Sequence, residues 1–164
     1  MSFRTMLLRT YDSASPLTDA GTLTSWLVQI GGGMIDLAGW EVLDTAECLR
    51  LLATVPIGRA IFTDHALLDV RLANFVLRNG MIVLRTSEGG KLAAVVRSGV
   101  VAFEVDENAK TETGWSVTVI GHARLVHDRG ELAELSTLDL RCRAPGRCEQ
   151  FVVISAEMVK GRRY

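Results

Sequence analysis

The sequence predicts a mainly β fold, a six-stranded antiparallel β-barrel accompanied by three short helices. From residue 59 onward, apolar and polar side chains alternate with period two in several short segments, as they do in strands with one buried face. Most connections between these segments are too short for a parallel crossover, so neighbouring strands should pair antiparallel. A single chain of 164 residues would close such a sheet into a barrel.

The chain divides into an N-terminal extension over 1–42 and a single domain over 43–164. The extension shows no sustained periodicity, and we expect at most one short helix in it. The domain opens with a helix near Asp44, whose carboxylate can accept a hydrogen bond from a first-turn N–H while Glu47 reaches back, as in a capping box. This helix should run to about Thr54.

The six strands and the two later helices follow from periodicity and turn residues. The dipeptide Asn79-Gly80 marks a tight hairpin, because it tolerates the positive φ angles that such turns need. A helix with an apolar stripe follows Asp128, which repeats the capping arrangement. The predicted strands are 59–63, 69–77, 81–86, 100–106, 115–125 and 150–155, and a second helix is predicted over 91–98.

The composition excludes several classes of protein. Hydrophobic residues make up 48% of the chain and the formal net charge is −1, so we expect no nucleic-acid partner. No apolar stretch is long and uninterrupted enough to span a membrane. Cys48, Cys142 and Cys148 show neither a CxxC spacing nor a matching histidine cluster, which argues against a disulfide scaffold or a metal site. A reducing cytoplasm fits these cysteines best.

The segment RTSEGGK, residues 85–91, has the parts of a phosphate-binding loop. A strand ends in a cation and two hydroxyls, a glycine pair permits close approach of backbone N–H groups, and a predicted helix begins. Arg85 could bind phosphate oxygens bidentately, Lys91 could act as a point charge, and Thr86 or Ser87 could donate a hydroxyl. On spacing alone, an ordinary turn is the alternative.

Three further residues are candidates for ligand contacts. Asn74 shares a face of its strand with Val70 and Leu72, which we expect to be the core side, so a buried Asn74 needs a hydrogen-bond partner. Arg71 lies on the opposite face, where a solvated cation is the alternative. Trp115 begins the most regular strand and could cover an aromatic cofactor or contact a dimer partner, although a core tryptophan is the ordinary interpretation.

Several segments match, in order, the pattern of one protein family. This pattern resembles that of the pyridoxamine 5'-phosphate oxidase-like, FMN-binding split β-barrels that are common in actinobacteria, and it covers about residues 43–164. The similar segments are LLATVPIGR (51–59), DVRLANFV (69–76), IVLRT and GKL (82–92), VVAFEVD (100–106), GWSV and GHA (114–123), and GRR (161–163).

The resemblance implies a six-stranded antiparallel split barrel of the FMN-binding type that works as a homodimer, with FMN at the subunit interface. It also implies an FMN-dependent oxidoreductase acting on an unidentified small molecule. The cofactor contacts that it implies are phosphate binding by Arg85, Thr86 and Lys91, and a place along or near the flavin for Arg71, Asn74 and Trp115.

The chain departs from the family pattern at three places. Leu72 stands where proline is usual, and Gly90 stands where a serine or threonine commonly precedes the lysine, which removes a hydroxyl from the phosphate site. The C-terminal substrate-contacting segment of the authentic vitamin B6 oxidases is not found, so we do not expect pyridoxine phosphate oxidation. A non-catalytic flavin-binding or sensing module and a deazaflavin-dependent reductase are therefore the alternatives.

Overall fold

The described part of the chain forms ten strands and two helices. The computed structural model describes residues 28–30, 33–87, 99–108, 113–142 and 147–164, so the predicted helix over 91–98 lies outside it. The elements are β1 (Val28–Ile30), β2 (Gly33–Ile35), β3 (Glu41–Leu43), α1 (Thr45–Leu52), β4 (Ile57–Asp64), β5 (Leu67–Arg78), β6 (Met81–Thr86), β7 (Val100–Asn108), β8 (Gly114–Leu125), α2 (Arg129–Ser136), β9 (Gln150–Ser155) and β10 (Met158–Arg163). Neither helix is long and apolar enough to cross a membrane.

Six of the strands close into an antiparallel barrel, which confirms the predicted fold class. They follow the order β8-β7-β4-β5-β6-β9, and β9 pairs with β8 to close the ring. The long strand β8 has two partners on this side, since residues 115–120 pair with β10 and residues 123–125 pair with β9. Gly121 lies between the two segments, where a Cβ atom would collide with the Ser155 carbonyl. Because β8 changes partner from β10 to β9 here, the barrel is of the split type.

Three short strands extend the sheet beyond the barrel. β1 pairs with β2, β2 with β3, and β3 with β10, all antiparallel. Arg163 pairs with Glu41 at 2.7 Å, and the rings of Trp40 and Tyr164 lie 5.1 Å apart between centroids. The expectation of at most one short helix before residue 40 is wrong for β1 and β2, which are strands. A strand of three residues is too short to show alternation in the sequence. The division at residue 42 stays a prediction.

Two apolar cores stabilise the barrel. The first fills its interior with side chains such as Phe62 and Phe103, and α1 adds Leu52 to it. The second lies between α2 and the outer face of β6 and β9, where Leu135 packs in one cluster with Val83. Full burial of such a side chain stabilises the fold by about 1.5–3 kcal/mol. The β6–β9 pair is therefore covered on both faces.

The inward face of β5 differs from the predicted one. Val70 and Leu72, expected in the core, are 52% and 59% exposed, whereas Ala73 and Phe75 are buried. Alternation identifies the two faces of a strand but not which face is turned inward, and both faces of β5 carry apolar residues. Asn74 therefore lies on the outer face of the barrel.

The predicted turn and helix starts have the expected backbone geometry. Asn79 and Gly80 have φ angles of 50° and 73°, as in Asn-Gly hairpins. Asp44 caps α1 by accepting a hydrogen bond from the Glu47 N–H at 2.8 Å. The Glu47 carboxylate does not reach back as predicted, because it pairs with Arg50 and with the last strand. Hydrogen bonds from Arg50 and Arg163 lower the pKa of Glu47 to about 2.

Candidate functional site

Three of the predicted site residues lie at one corner of the barrel, where β6 ends beside the start of β9. Arg85 is opposite Phe151, and Thr86 is opposite Gln150. Because successive side chains point to opposite faces of a strand, Thr86 faces the barrel interior and Arg85 faces the outer side. Thr86 is fully buried, while Arg85 and Ser87 are partly buried. The corner thus carries the predicted cation and two hydroxyls.

Arg85 is held in place without a counter-charge from the described residues. Its Nε donates a hydrogen bond to the Cys148 carbonyl at 2.7 Å, and its guanidinium carbon lies 5.4 Å from the centroid of the Phe151 ring. By contrast, Arg59 and Arg163 each pair with two carboxylates. A guanidinium has five N–H donors, so the bond to Cys148 leaves donors for an anion.

Two polar groups inside this corner lack a good partner within the described ranges. The Thr86 hydroxyl makes a long hydrogen bond, 3.4 Å, to the Ser87 carbonyl. The Gln150 Oε1 atom is buried and accepts no hydrogen bond from the residues that the structure describes. An unpaired buried acceptor costs about 1–3 kcal/mol, and such a group in a native protein calls for an explanation. A bound ligand with hydroxyl or N–H donors would satisfy Gln150.

A disulfide between Cys142 and Cys148 closes the segment that leads into β9. Both cysteines contact Arg85, since Cys142 Sγ lies 3.5 Å from the Arg85 carbonyl oxygen and the Cys148 carbonyl accepts from its Nε. The disulfide contradicts the expectation drawn from the cysteine spacing. The sequence did not reveal it, because a separation of six residues matches no redox motif. Cys48 is a free thiol, and burial raises its pKa.

Asn74 lies beside Arg85 in the sheet. β5 pairs with β4 up to Asn74 and with β6 from Phe75 onward, where Phe75 is opposite Leu84. The Phe75 N–H donates to the Pro56 carbonyl at 3.1 Å at this change of partners. Because the strands are antiparallel, Arg85, which follows Leu84, lies across from Asn74, which precedes Phe75. The structure therefore brings Asn74 to the same corner and the same outer side.

Arg71 points to the opposite side of β5 and is not a simple solvated cation. Its terminal nitrogen pairs with Asp69 at 2.6 Å. Its Nε is buried and has no hydrogen-bond partner in the part of the chain that the structure describes. Arg71 thus has a free donor within the described ranges and one carboxylate partner, Asp69.

Trp115 is separated from the corner within one subunit. It is 8% exposed, belongs to the interior core, and donates its indole N–H to Glu107 at 3.2 Å. It begins β8, whereas β9 first meets β8 at Ala123, about 25 Å further along the strand. One copy of the chain therefore does not bring Trp115 to Arg85. Lys91 lies outside the described residues, and its phosphate-binding role stays a prediction.

A recess of about 280 Å³ lies between the end of α1 and β5. Pro56, Phe75, Leu77 and Asp139 are among its lining residues, so it adjoins the corner at Phe75. Sites for small molecules and cofactors usually measure about 300–1,000 Å³. The recess alone is therefore too small to enclose a nucleotide-sized ligand.

The outer face of the sheet around β5 is apolar. Leu68, Val70 and Leu72 on β5, Val100 on β7 and Met158 on β10 are 47% to 80% exposed. The strand registers place all five on one face, which is also the face of Asn74. Monomeric proteins rarely expose a contiguous apolar surface of this kind, which usually marks an interaction site.

Sequence reasoning missed Gln150 and Cys148. Gln150 shares the inward side of β9 with Val152 and Ile154, so it is a polar residue in an apolar alternation. The same sequence signal, a polar residue among alternating apolar ones, identified Asn74 as a candidate and would have identified Gln150. Cys148 acts through its backbone carbonyl, which no pattern of residue types reveals.

Comparison with known proteins identifies the family. The model of the pyridoxamine 5'-phosphate oxidase family matches residues 44–163. An uncharacterized protein of Mycobacterium tuberculosis is 37% identical over 127 residues, which are 74% of this chain and 83% of that protein. A candidate pyridoxamine 5'-phosphate oxidase of Corynebacterium glutamicum has a similar crystal structure, with a TM-score of 0.68 and 31% identity over 76% of this chain and 92% of that one.

A second solved structure is similar to a comparable degree. It is that of an FAD-binding protein of Mycobacterium smegmatis, which is 34% identical to this chain and superimposes with a TM-score of 0.65. The match covers 75% of this chain and 97% of that protein. By sequence and by structure, this chain belongs to the pyridoxamine 5'-phosphate oxidase-like family of split β-barrels.

Proposed function

We propose that this chain is a flavin-dependent oxidoreductase that binds FMN at the corner formed by β5, β6 and β9. The observation that carries the proposal is Arg85, a fixed guanidinium with no described counter-charge, at the same strand end as Gln150, whose buried acceptor has no partner among the described residues. The flavin-binding relative from Mycobacterium smegmatis supports the same class of ligand. The substrate is a small molecule that the chain does not identify, and we do not propose vitamin B6 oxidation.

The residues present fit a flavin mononucleotide. A phosphate dianion suits the guanidinium of Arg85, which can bind two of its oxygens, and Lys91 would add a point charge. The ribityl hydroxyls are donors that suit Gln150 Oε1. Arg71 lies on the opposite side of β5 from Arg85, so its contact with the isoalloxazine ring stays a prediction from the family resemblance. One guanidinium and one ammonium match the single phosphate of FMN better than the longer diphosphate of FAD.

The bound flavin would supply the hydride or electron transfer. The chain would bind the phosphate, orient the ring and exclude water through the apolar residues around β5. The guanidinium of Arg85, the hydroxyl of Thr86 and the amide of Gln150 are hydrogen-bonding groups, so their part is binding and orientation.

We also propose that a second copy of the chain completes the site. The exposed apolar face of β5, β7 and β10 would be covered by the same face of a partner, as in an isologous dimer. A second subunit would also enlarge the small recess beside Phe75. The partner's Trp115 would then lie closer to the corner than the Trp115 of the same subunit does.

The first experiment identifies the cofactor. Protein purified without added flavin is denatured, and the released chromophore is identified by mass and by its visible spectrum, which separates FMN from FAD and from a deazaflavin. Light scattering gives the subunit count. We expect one FMN per subunit and a dimer. Failure to release or to bind any flavin on titration would refute the proposal.

A non-catalytic flavin-binding or sensing module is the second candidate. It is favoured by the chemistry of the corner, whose described side chains bind through a guanidinium, hydroxyls and amides and include no histidine or carboxylate. Reduction of the bound flavin by a nicotinamide donor, followed by reoxidation with a quinone or oxygen, separates the two. Turnover supports the oxidoreductase, whereas bound flavin that accepts no electrons supports the sensing module.

A further inference from the structure

The segment between α2 and β9 is closed by the Cys142–Cys148 disulfide and is joined to Arg85 at both ends. The sulfur of Cys142 lies 3.5 Å from the Arg85 carbonyl, and the Cys148 carbonyl accepts the Arg85 Nε–H at 2.7 Å. The disulfide therefore joins one cysteine that contacts the backbone of Arg85 to another whose carbonyl binds the Arg85 side chain.

Cys148 and Phe151 restrain the plane of the Arg85 guanidinium. The Cys148 carbonyl fixes its inner edge, and the Phe151 ring lies 5.4 Å from its carbon. An arginine in the free chain samples many rotamers, and holding one of them in advance raises the affinity for a planar anion. The disulfide keeps Cys148 in place, so opening it would release this restraint.

We infer that Cys142 and Cys148 form a reversible redox-modification site that sets the position of Arg85 and thereby the affinity of the corner for a phosphate-bearing ligand. The ligand part of this inference rests on the proposed flavin function. In the disulfide form the guanidinium is held ready for the phosphate. In the dithiol form the carbonyl of Cys148 is free to move, and binding is weaker.

The chemistry requires a thiol reductant. A thiolate of a dithiol attacks one sulfur, the bond between Cys142 and Cys148 breaks, and a mixed disulfide forms. The second thiol of the reductant resolves it, so the reductant leaves as a disulfide while two electrons and two protons remain on the two cysteines. Both cysteines are partly exposed, which gives such a reductant access. Thiol reductants of this class keep the cytoplasm, the expected compartment, reducing.

Cys48 provides an internal control for this chemistry. It is fully buried, packs against Gly161 and has a raised pKa, so it should react slowly in either state. Thiol labelling of native protein should therefore detect no fast-reacting thiol before dithiothreitol treatment and two after it. Mass spectrometry should place both labels on Cys142 and Cys148. Two labelled thiols in protein that was never reduced, even after treatment with oxidised dithiothreitol, would overturn the inference.

The ligand part is tested by FMN titration of the oxidised and reduced protein. Ordering of one long side chain corresponds to a change in dissociation constant of about three- to tenfold. We expect that loss of affinity on reduction in the native chain and in Cys48→Ser. We expect the Cys142→Ser/Cys148→Ser variant to bind as weakly as reduced protein in both conditions. In Arg85→Ala the effect of reduction should disappear, because the restrained group is gone.

A readout without flavin keeps the inference separate from the proposed function. The NMR signal of the Arg85 Nε–H, assigned by its loss in Arg85→Lys, should shift and exchange faster with water after reduction. If FMN binds neither form while this signal changes, the flavin proposal fails and the redox coupling to Arg85 stands. If FMN binds both forms equally and the signal does not move, the inference is wrong and the flavin proposal stands.

Discussion

Two arginines near strand ends, Arg85 and Arg163, differ in what surrounds them. Arg163 lies near the end of β10 and pairs with Glu41 at 2.7 Å and Glu47 at 2.5 Å, so its charge is balanced. Arg85 lies near the end of β6 and has a backbone carbonyl and an aromatic ring instead. An arginine balanced by carboxylates connects parts of the fold, whereas one fixed by neutral groups still has charge to offer a ligand.

The largest expected effect comes from Arg85→Ala. Hydrogen bonds to a charged group contribute about 1.5–3 kcal/mol, so FMN affinity should fall by about 10- to 150-fold. Stability should fall by about 1 kcal/mol, because the hydrogen bond to the Cys148 carbonyl is lost. Fluorescence titration with FMN measures the first quantity and thermal unfolding the second. The matched control is Arg163→Ala, which should leave FMN affinity unchanged and lower stability; equal FMN affinities of the two variants would remove the distinction between the arginines.

The next largest effect concerns the exposed apolar face of β5, β7 and β10, which we propose is covered by a partner subunit. Leu72 is 59% exposed on that face, and a glutamate there would place a charge in the interface. Loss of one buried leucine corresponds to about 1.5–3 kcal/mol, so Leu72→Glu should weaken dimerisation by at least tenfold and weaken FMN binding with it. Sedimentation analysis measures the dimerisation. Leu37→Glu is the control, since Leu37 is 74% exposed but lies before β3; a Leu72→Glu protein that remains dimeric would exclude this face.

Gln150→Leu should change ligand affinity and stability in opposite directions. Replacing the unpaired buried acceptor with an apolar side chain removes a penalty of about 1–3 kcal/mol, so the unliganded protein should be more stable. The same change removes one hydrogen bond to the ribityl chain and should weaken FMN and riboflavin binding alike, by about three- to tenfold. Denaturant unfolding measures the change in stability, and titration with FMN and riboflavin measures the change in affinity. A variant that is less stable and binds normally would show that Gln150 has a structural role.

The smallest effect is a pH dependence at the balanced arginine. The pKa of Glu47 is lowered from 4.5 to about 2 by hydrogen bonds from Arg50 and Arg163. A carboxylate with a lowered folded-state pKa contributes stability above its ordinary pKa, and this is lost as the pH falls from 4.5 towards 2. Glu47→Gln should therefore flatten the loss of stability in that range, as measured by denaturant unfolding at several pH values. Glu149→Gln, on an exposed loop, should keep the native slope.

Sequence patterns identified the barrel well because its signals are local. The Asn79-Gly80 hairpin, the Asp44 cap and the alternation of β8 each depend on a few neighbouring residues. The inward face of β5 could not be predicted this way. Both of its faces are apolar, and what distinguishes them is contact with strands far away in sequence.

The candidate site was predictable only in part for the same reason. Arg85, Thr86 and Ser87 are contiguous, so a local pattern found them. Gln150 lies opposite Thr86, and Cys148 contacts Arg85, through the pairing of β6 with β9, which joins residues more than 60 positions apart. Trp115 shows the converse case, since family resemblance placed it near a flavin, whereas one subunit places it far from the corner.

The central claim is that Arg85 binds the phosphate of a flavin nucleotide at the end of β6, and a crystal structure of the protein soaked or co-purified with FMN tests it most directly. The account predicts phosphate oxygens within hydrogen-bond distance of the terminal nitrogens of Arg85, with its Nε still on the Cys148 carbonyl. A flavin bound elsewhere, with no phosphate contact to Arg85, would contradict it.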